Sequence, residues 1–123
     1  MSQQQAGSDD LDDVISDWLS LPDVAAHLGT TLSRVRRMLD DRLLVAVRRG
    51  SPKVASVPRA LVDPEPLPEL PGTLSVLMDS GFDLDEALRW LFTPDPSLPG
   101  TPLENLRAGR KTEVRRRAQA LAF

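Results

Sequence analysis

The most constraining stretch of the chain is Leu28-Gly29-Thr30-Thr31, a break of only a few residues between two segments of helical periodicity. Upstream, Ser20 is placed to cap a helix with Pro22 in its first turn and Asp23 three residues after the cap. Leu21, Val24, Ala25 and Leu28 fall on one apolar face of that helix. Gly29 lacks a Cβ and so suits the left-handed position just past a helix end, and Thr30-Thr31 supplies a new N-cap two residues later. Two short helices joined this tightly must pack at a steep angle, which is helix-turn-helix geometry.

The second helix is predicted over Leu32 to Asp40 or Asp41. Leu32, Val35, Met38 and Leu39 fall on its inner side, which leaves Ser33, Arg34, Arg37 and Asp41 on the opposite side with Arg36 on the flank. A recognition helix has this form, with polar and basic residues at its N-terminal half presented to the major groove. The β-branched, apolar run Leu43 to Val47 reads as a strand, Arg48-Arg49-Gly50-Ser51-Pro52 as a turn and Lys53 to Val57 as a second strand. Arg48, Arg49 and Lys53 then sit at the tip of a two-stranded wing, suited to a phosphate ridge or a minor groove. The residues expected to contact DNA are Thr31, Ser33, Arg34, Arg36, Arg37, Arg48, Arg49 and Lys53.

A net charge of −3 over 123 residues is unpromising for a DNA-binding chain until its distribution is followed. Residues 1–29 carry six acids and no Lys or Arg, while residues 30–59 carry eight bases against Asp40 and Asp41. Residues 60–109 carry nine acids against Arg89 and Arg107, and residues 110–123 carry five bases against Glu113. Positive charge is thus concentrated on the helix-wing segment and the last helix, and a localised basic face is what attracts a polyanion.

The remaining features narrow the function classes. There are no cysteines and one histidine, which excludes a disulfide scaffold, a thiolate metal site and a histidine-rich one. No phosphate-cradling glycine loop and no nucleophile-base pair is present, so no enzyme and no cofactor are expected. His27 reads as a surface residue interacting with a helix end. With no apolar run of membrane-spanning length and a polar, acidic start, a cytoplasmic location without membrane contact is expected.

In domain terms, residues 1–10 are expected to be a disordered tail, 11–62 the winged helix-turn-helix domain, 63–71 a Pro-rich connector and 72–123 a C-terminal helical domain. Leu11, Val14, Ile15, Trp18 and Leu19 suggest a short amphipathic helix, or a helix passing into a strand, with Trp18 as a core plug. Past the connector, a helix starting at Gly72-Thr73 is predicted to bury Leu74, Leu77 and Met78. Asp83 with Glu86 caps a helix that buries Ala87, Leu88 and Leu91, and Trp90 is expected in the core. Thr101, Pro102 and Glu104 form another helix start, and a last helix from Lys111 turns Val114, Ala118 and Leu121 inward. Arg115, Arg116 and Arg117 either extend the basic surface or pair with the acids of residues 63–104. The fold class is mainly α with a small β-hairpin wing: a winged helix-turn-helix followed by a C-terminal helical bundle.

The segments Leu21 to Leu28, Leu44 to Arg49, LPGTLSVLMDSGF, RWLFTPDPSLPGTPLENLRAGR and EVRRRAQALAF together resemble an actinobacterial family of small winged helix-turn-helix DNA-binding proteins. The likeness covers about residues 17–123. It implies double-stranded DNA as partner of the winged unit and a Ser/Thr protein kinase as a further partner, since the family's mycobacterial member is a kinase substrate; a role as transcriptional regulator or nucleoid-associated factor is expected. The family's phosphoacceptor is a threonine in the N-terminal tail, whereas no threonine precedes Thr30 here, leaving Ser2 or Ser8. The segment WLFTPDPSLPGTPLENLRAGRKTEV is also similar to the C-terminal toxin-binding region of a class of bacterial antitoxins, which implies C-terminal helices that bind a toxin or another protein partner, or mediate dimerisation. Monomer and dimer both remain open.

Overall fold

The computed structural model describes residues 8–122, and for Ser8, Asp9 and Asp10 the backbone only. The chain divides into two compact units that meet at Pro68 and Glu69. Most of the expected N-terminal tail lies outside the described residues, but Ser8–Asp13 forms a 3-10 helix.

In the first unit, helix α1 (Leu21–Leu28) starts where Ser20 Oγ accepts the Asp23 N–H at 3.2 Å and ends where Gly29 takes φ +66°. Helix α2 (Leu32–Asp40) starts where Thr31 Oγ1 accepts the Arg34 N–H at 3.1 Å. Each cap satisfies an N–H that the helix itself leaves without a partner. Val24 on α1 and Val35 on α2 are fully buried where the two helices pack together. Leu32, Met38 and Leu39 are only half-buried, so the inner face of α2 is narrower than its pattern suggests.

The sheet has three strands rather than two: β1 (Trp18–Ser20), β2 (Val47–Arg49) and β3 (Val54–Pro58), in the antiparallel order β1-β3-β2. Leu19 pairs with Val57, and Val47, Arg48 and Arg49 pair with Ser56, Ala55 and Val54. The extra strand replaces most of the helix expected between Leu11 and Leu19. Only one turn uses the helical spacing there, with the Ile15 N–H donating to Leu11 O at 2.7 Å, after which the chain extends into β1. Leu11, Ile15 and Leu19 are nevertheless buried, as the pattern requires.

The first wing strand also differs from expectation, because Leu43 to Ala46 are not in the sheet. The end of α2 captures the first of these amides: Arg42, at φ +60°, donates its N–H to Leu39 O, and Leu43 donates to Met38 O at 2.9 Å. This is the paired-bond pattern of a helix closed by a left-handed residue. Leu44 and Val45 are buried as irregular chain, and the strand begins only at Val47. Arg48 and Arg49, expected in the turn, are strand residues.

The second unit contains α3 (Leu70–Asp79), α4 (Leu84–Leu91), α5 (Pro102–Arg107) and α6 (Lys111–Ala120). Helix α3 packs on α4 and α6, and α5 packs on α4 and α6. Reciprocal capping boxes, Asp83 with Glu86 and Thr101 with Glu104, start α4 and α5 as the sequence indicates. Helix α3 begins before the predicted Gly72, and Leu67 and Leu70, placed in the connector by the sequence, are buried. Leu74, Leu77, Leu88, Leu91, Val114 and Ala118 form the buried apolar centre, while Met78 and Leu121 are half-buried.

Candidate nucleic-acid interface

Helix α2 presents Ser33, Arg34, Arg36 and Arg37 to solvent, and Thr31 is exposed at its cap. Val35 anchors the helix from the other side at full burial, so the arginines project from a fixed element. The acids Asp40 and Asp41 lie at the opposite, C-terminal end, which leaves the N-terminal half as the basic end. That half also carries the positive end of the helix dipole.

The hairpin separates its own cations. Arg48 is exposed and donates from Nη2 to the carbonyl of Lys53 at 3.4 Å, while Lys53 itself is exposed beside Gly50, Ser51 and Pro52. Adjacent strand residues point to opposite faces, so Arg49 turns the other way. Its guanidinium lies 4.5 Å from the centroid of the Trp18 ring and is ion-paired and hydrogen-bonded to Asp12. The Arg49 side chain is 25% exposed. Arg49, expected at the wing tip with Arg48 and Lys53, instead joins the N-terminal turn to the sheet. Sequence carries no local signal for this clamp, because Asp12 and Arg49 are 37 residues apart.

Of the eight bases in residues 30–59, Arg59 pairs with Asp17 at 2.8 Å and Asp63 at 3.9 Å, Arg49 pairs with Asp12, and Arg42 is engaged as well. Arg34, Arg36, Arg37, Arg48 and Lys53 have no ion pair among the described residues. Their charge is uncompensated locally, as a phosphate-binding surface requires.

Trp18 departs from its expected place in the core, whereas His27 lies at the surface as its position suggests. Trp18 is half-buried rather than fully enclosed, with its indole N–H donating to Ile15 O at 3.2 Å. His27 is exposed, and its Nε2 lies 3.1 Å from the Val62 carbonyl oxygen, connecting α1 to the end of the sheet unit. Among the described residues no group of three or more His, Cys, Asp or Glu side chains is arranged to hold a metal, and no helix is long and apolar enough to cross a membrane.

The second unit uses its cations differently. Arg115 donates from Nε to Thr73 Oγ1 at 3.1 Å and from Nη2 to Glu69 O at 3.1 Å. Gly72 makes room for it, since a Cβ at that position would stand 2.6 Å from Arg115 Nη2. Lys111 pairs with Glu69 at 3.4 Å. Arg117 donates to Asp95, whose carboxylate also accepts from Ser97 Oγ at 2.7 Å, the Ser97 N–H at 2.9 Å and Trp90 Nε1 at 3.3 Å. Burial alone would raise the Asp95 pKa, but these four donors outweigh it and hold it down at about 2. Trp90 is half-buried, with its ring 6.4 Å from that of Phe82, and its polar edge is committed to Asp95.

A capped two-helix unit with a short turn, a three-stranded antiparallel sheet and a hairpin beyond the second helix define a winged helix-turn-helix protein. Comparison with known proteins is more specific. Residues 6–62 match the family described as "DNA-binding protein Rv2175c, wHTH domain", and residues 67–122 match "Rv2175c C-terminal domain of unknown function". A relative from Mycobacterium tuberculosis, "DNA-binding protein Rv2175c", is 39% identical over 127 residues that span 94% of this chain and 87% of its own. A solved structure titled "NMR structure of Rv2175c" superposes with a TM-score of 0.73 at 37% identity, covering 87% of this chain and 82% of that one. The chain belongs to the Rv2175c family.

Proposed function

We propose that residues 11–62 bind double-stranded DNA, with α2 in the major groove and the hairpin tip on the adjacent backbone or minor groove, and that the protein acts as a transcriptional regulator or nucleoid-associated factor. The observation that carries this reading is the set of five cations, on the outer side of α2 and at the hairpin tip, that have no ion pair among the described residues. The acids Asp12 and Asp17 of the same unit are engaged with Arg49 and Arg59 instead. The name of the M. tuberculosis relative supports the same reading. Arg34 and Arg37 are assigned to base edges, with Arg36, Thr31 and Ser33 beside them, and Arg48 and Lys53 to phosphates. Arg49 is assigned to positioning the wing strand.

Fluorescence anisotropy with mixed-sequence duplex tests the proposal. Binding is expected at ~50 mM salt and should weaken steeply as salt rises, because each neutralised phosphate releases condensed counterions. Absence of binding at low salt overturns it. Kinase control, carried over from the resemblance, falls on Ser2 or Ser8, and phosphate incorporation that survives replacement of both serines would sink it. The antitoxin-like reading receives no support from Trp90, whose ring packs by Phe82 and whose N–H is taken by Asp95.

A further inference from the structure

The second unit contains an open cleft of about 470 Å³ between the turn at 97–99 and α6. This size lies within the range of roughly 300–1,000 Å³ usual for small-molecule sites. Leu98, Pro99 and Ala120 are its apolar lining, and Arg110, Arg116 and Arg117 line it beside them. We propose that this cleft binds a small amphipathic anion: a carboxylate, phosphate or sulfonate group carried on an apolar body.

The three arginines are not equivalent. Arg117 is neutralised by Asp95 at 3.2 Å and forms part of the wall. Arg110 donates from Nη1 to Asn105 Oδ1 at 3.0 Å, a neutral acceptor that orients the guanidinium without cancelling its charge. Arg116 is exposed and has no partner among the described residues. Glu113 is the one acid among the lining residues, and Arg110 and Arg116 together exceed its charge. The lining therefore retains positive charge next to apolar carbon, and a guanidinium recognises carboxylate or phosphate through two parallel hydrogen bonds.

The wall opposite α6 is preorganised. Asp95 accepts both the Ser97 N–H and Ser97 Oγ, and the Leu98 N–H donates to Asp95 O at 2.9 Å, which holds Leu98 and Pro99 in place before any ligand arrives. A rigid apolar wall lowers the ordering cost of binding.

The test uses the full chain and the probe 1-anilinonaphthalene-8-sulfonate, which joins a sulfonate to an aromatic body. A saturable rise in fluorescence is expected, and Arg116→Ala should weaken it about tenfold, as removal of one charged hydrogen-bonding partner does. Ala120→Glu, at an exposed position, should weaken it comparably by placing a like charge beside the sulfonate. Melting temperatures of both variants are expected to match the parent. Addition of duplex DNA should leave the probe bound. No saturable binding, or binding unchanged by both substitutions, overturns the proposal. Displacement by duplex also overturns it, because the cleft would then belong to a nucleic-acid surface.

Discussion

Helix α2 and helix α6 are both short, both rich in arginine and both basic against an acidic background, yet apart from the exposed Arg116 the structure uses their cations in opposite ways. On α2, Arg34, Arg36 and Arg37 have no ion pair among the described residues and project from a helix whose only fully buried side chain is Val35. On α6, Arg115 and Arg117 reach inward to Thr73, Glu69 and Asp95, and Lys111 also meets Glu69. Cations paired inside a fold hold its elements together, whereas cations left unpaired on a fixed helix remain available to an external polyanion. Charge density along the sequence does not distinguish the two, because the deciding partners lie 22 to 46 residues away.

Deleting charge from each helix in turn, with binding and stability both measured, separates the two roles. Replacing Arg34 or Arg37 with Ala should cost about 1–3 kcal/mol in affinity for a preferred duplex and relax its sequence preference. Stability should stay within about 0.5 kcal/mol of the parent, as for exposed surface changes generally. Equal losses on preferred and random duplexes would move these arginines to phosphate.

The reciprocal experiment concerns Asp95, which ties α6 to the turn after α4 and is 7% exposed. Its folded pKa of about 2 lies below the ordinary value of 3.8, so the charged form is favoured by folding. The resulting stability is fully present above pH 3.8 and is lost as the pH falls through about 2. A difference of that size corresponds to about 2 kcal/mol. Asp95→Asn should therefore lower stability at pH 7 by about 2 kcal/mol and flatten the acid limb of the stability profile between about pH 4 and pH 2, with DNA affinity unchanged. Urea melts across that pH range measure it, and an acid limb as steep as the parent's would refute the assignment.

A smaller effect sharpens the picture of the wing. Arg48→Ala with Lys53→Ala should reduce affinity almost equally for all sequences and make the salt dependence shallower by ~0.9 for each phosphate no longer neutralised. An unaltered slope would show that the hairpin tip does not touch the backbone.

What could be read in the sequence follows the same division between local and distant partners. Ser20, Gly29, Thr31, Asp83 and Thr101 were legible because a cap is decided within three or four residues. The strand assigned to Leu43–Val47 failed where a local rule competed with another local rule: β-branched composition indicated a strand, but the carbonyls ending α2 took the amides of Arg42 and Leu43 first. Strand β1 was only partly visible, since its pairing partner β3 lies some forty residues on and the acids around Leu11 still leave an apolar helical spacing. In the candidate site the outward face of α2 was readable from periodicity. The division of labour between Arg48 and Arg49 was not, because two neighbouring arginines in a strand differ only in which face each meets, and only the fold places Trp18 and Asp12 on one of those faces.

That pair of neighbours provides the finest test, because it repeats the contrast between α2 and α6 within two residues. Arg49 lies over Trp18 and meets Asp12, and its Nε is buried with no hydrogen-bond partner. A cation over an indole contributes about 0.5–1 kcal/mol at a partly exposed site, and an ion pair with a carboxylate as exposed as Asp12 adds little more. Arg49→Ala should thus cost about 1 kcal/mol of stability, while Arg48→Ala should cost close to none. Binding should follow the opposite order: at a salt concentration where both variants are fully folded, Arg48→Ala loses affinity and Arg49→Ala retains most of it. Arg49→Lys separates charge from geometry further, since an ammonium cannot keep the flat stack on Trp18 while reaching Asp12 and should recover only part of the stability. If instead Arg49→Ala leaves the melting temperature unchanged and weakens DNA binding as strongly as Arg48→Ala, the clamp gives way to DNA, and Arg49 belongs with the cations of α2 rather than with those of α6.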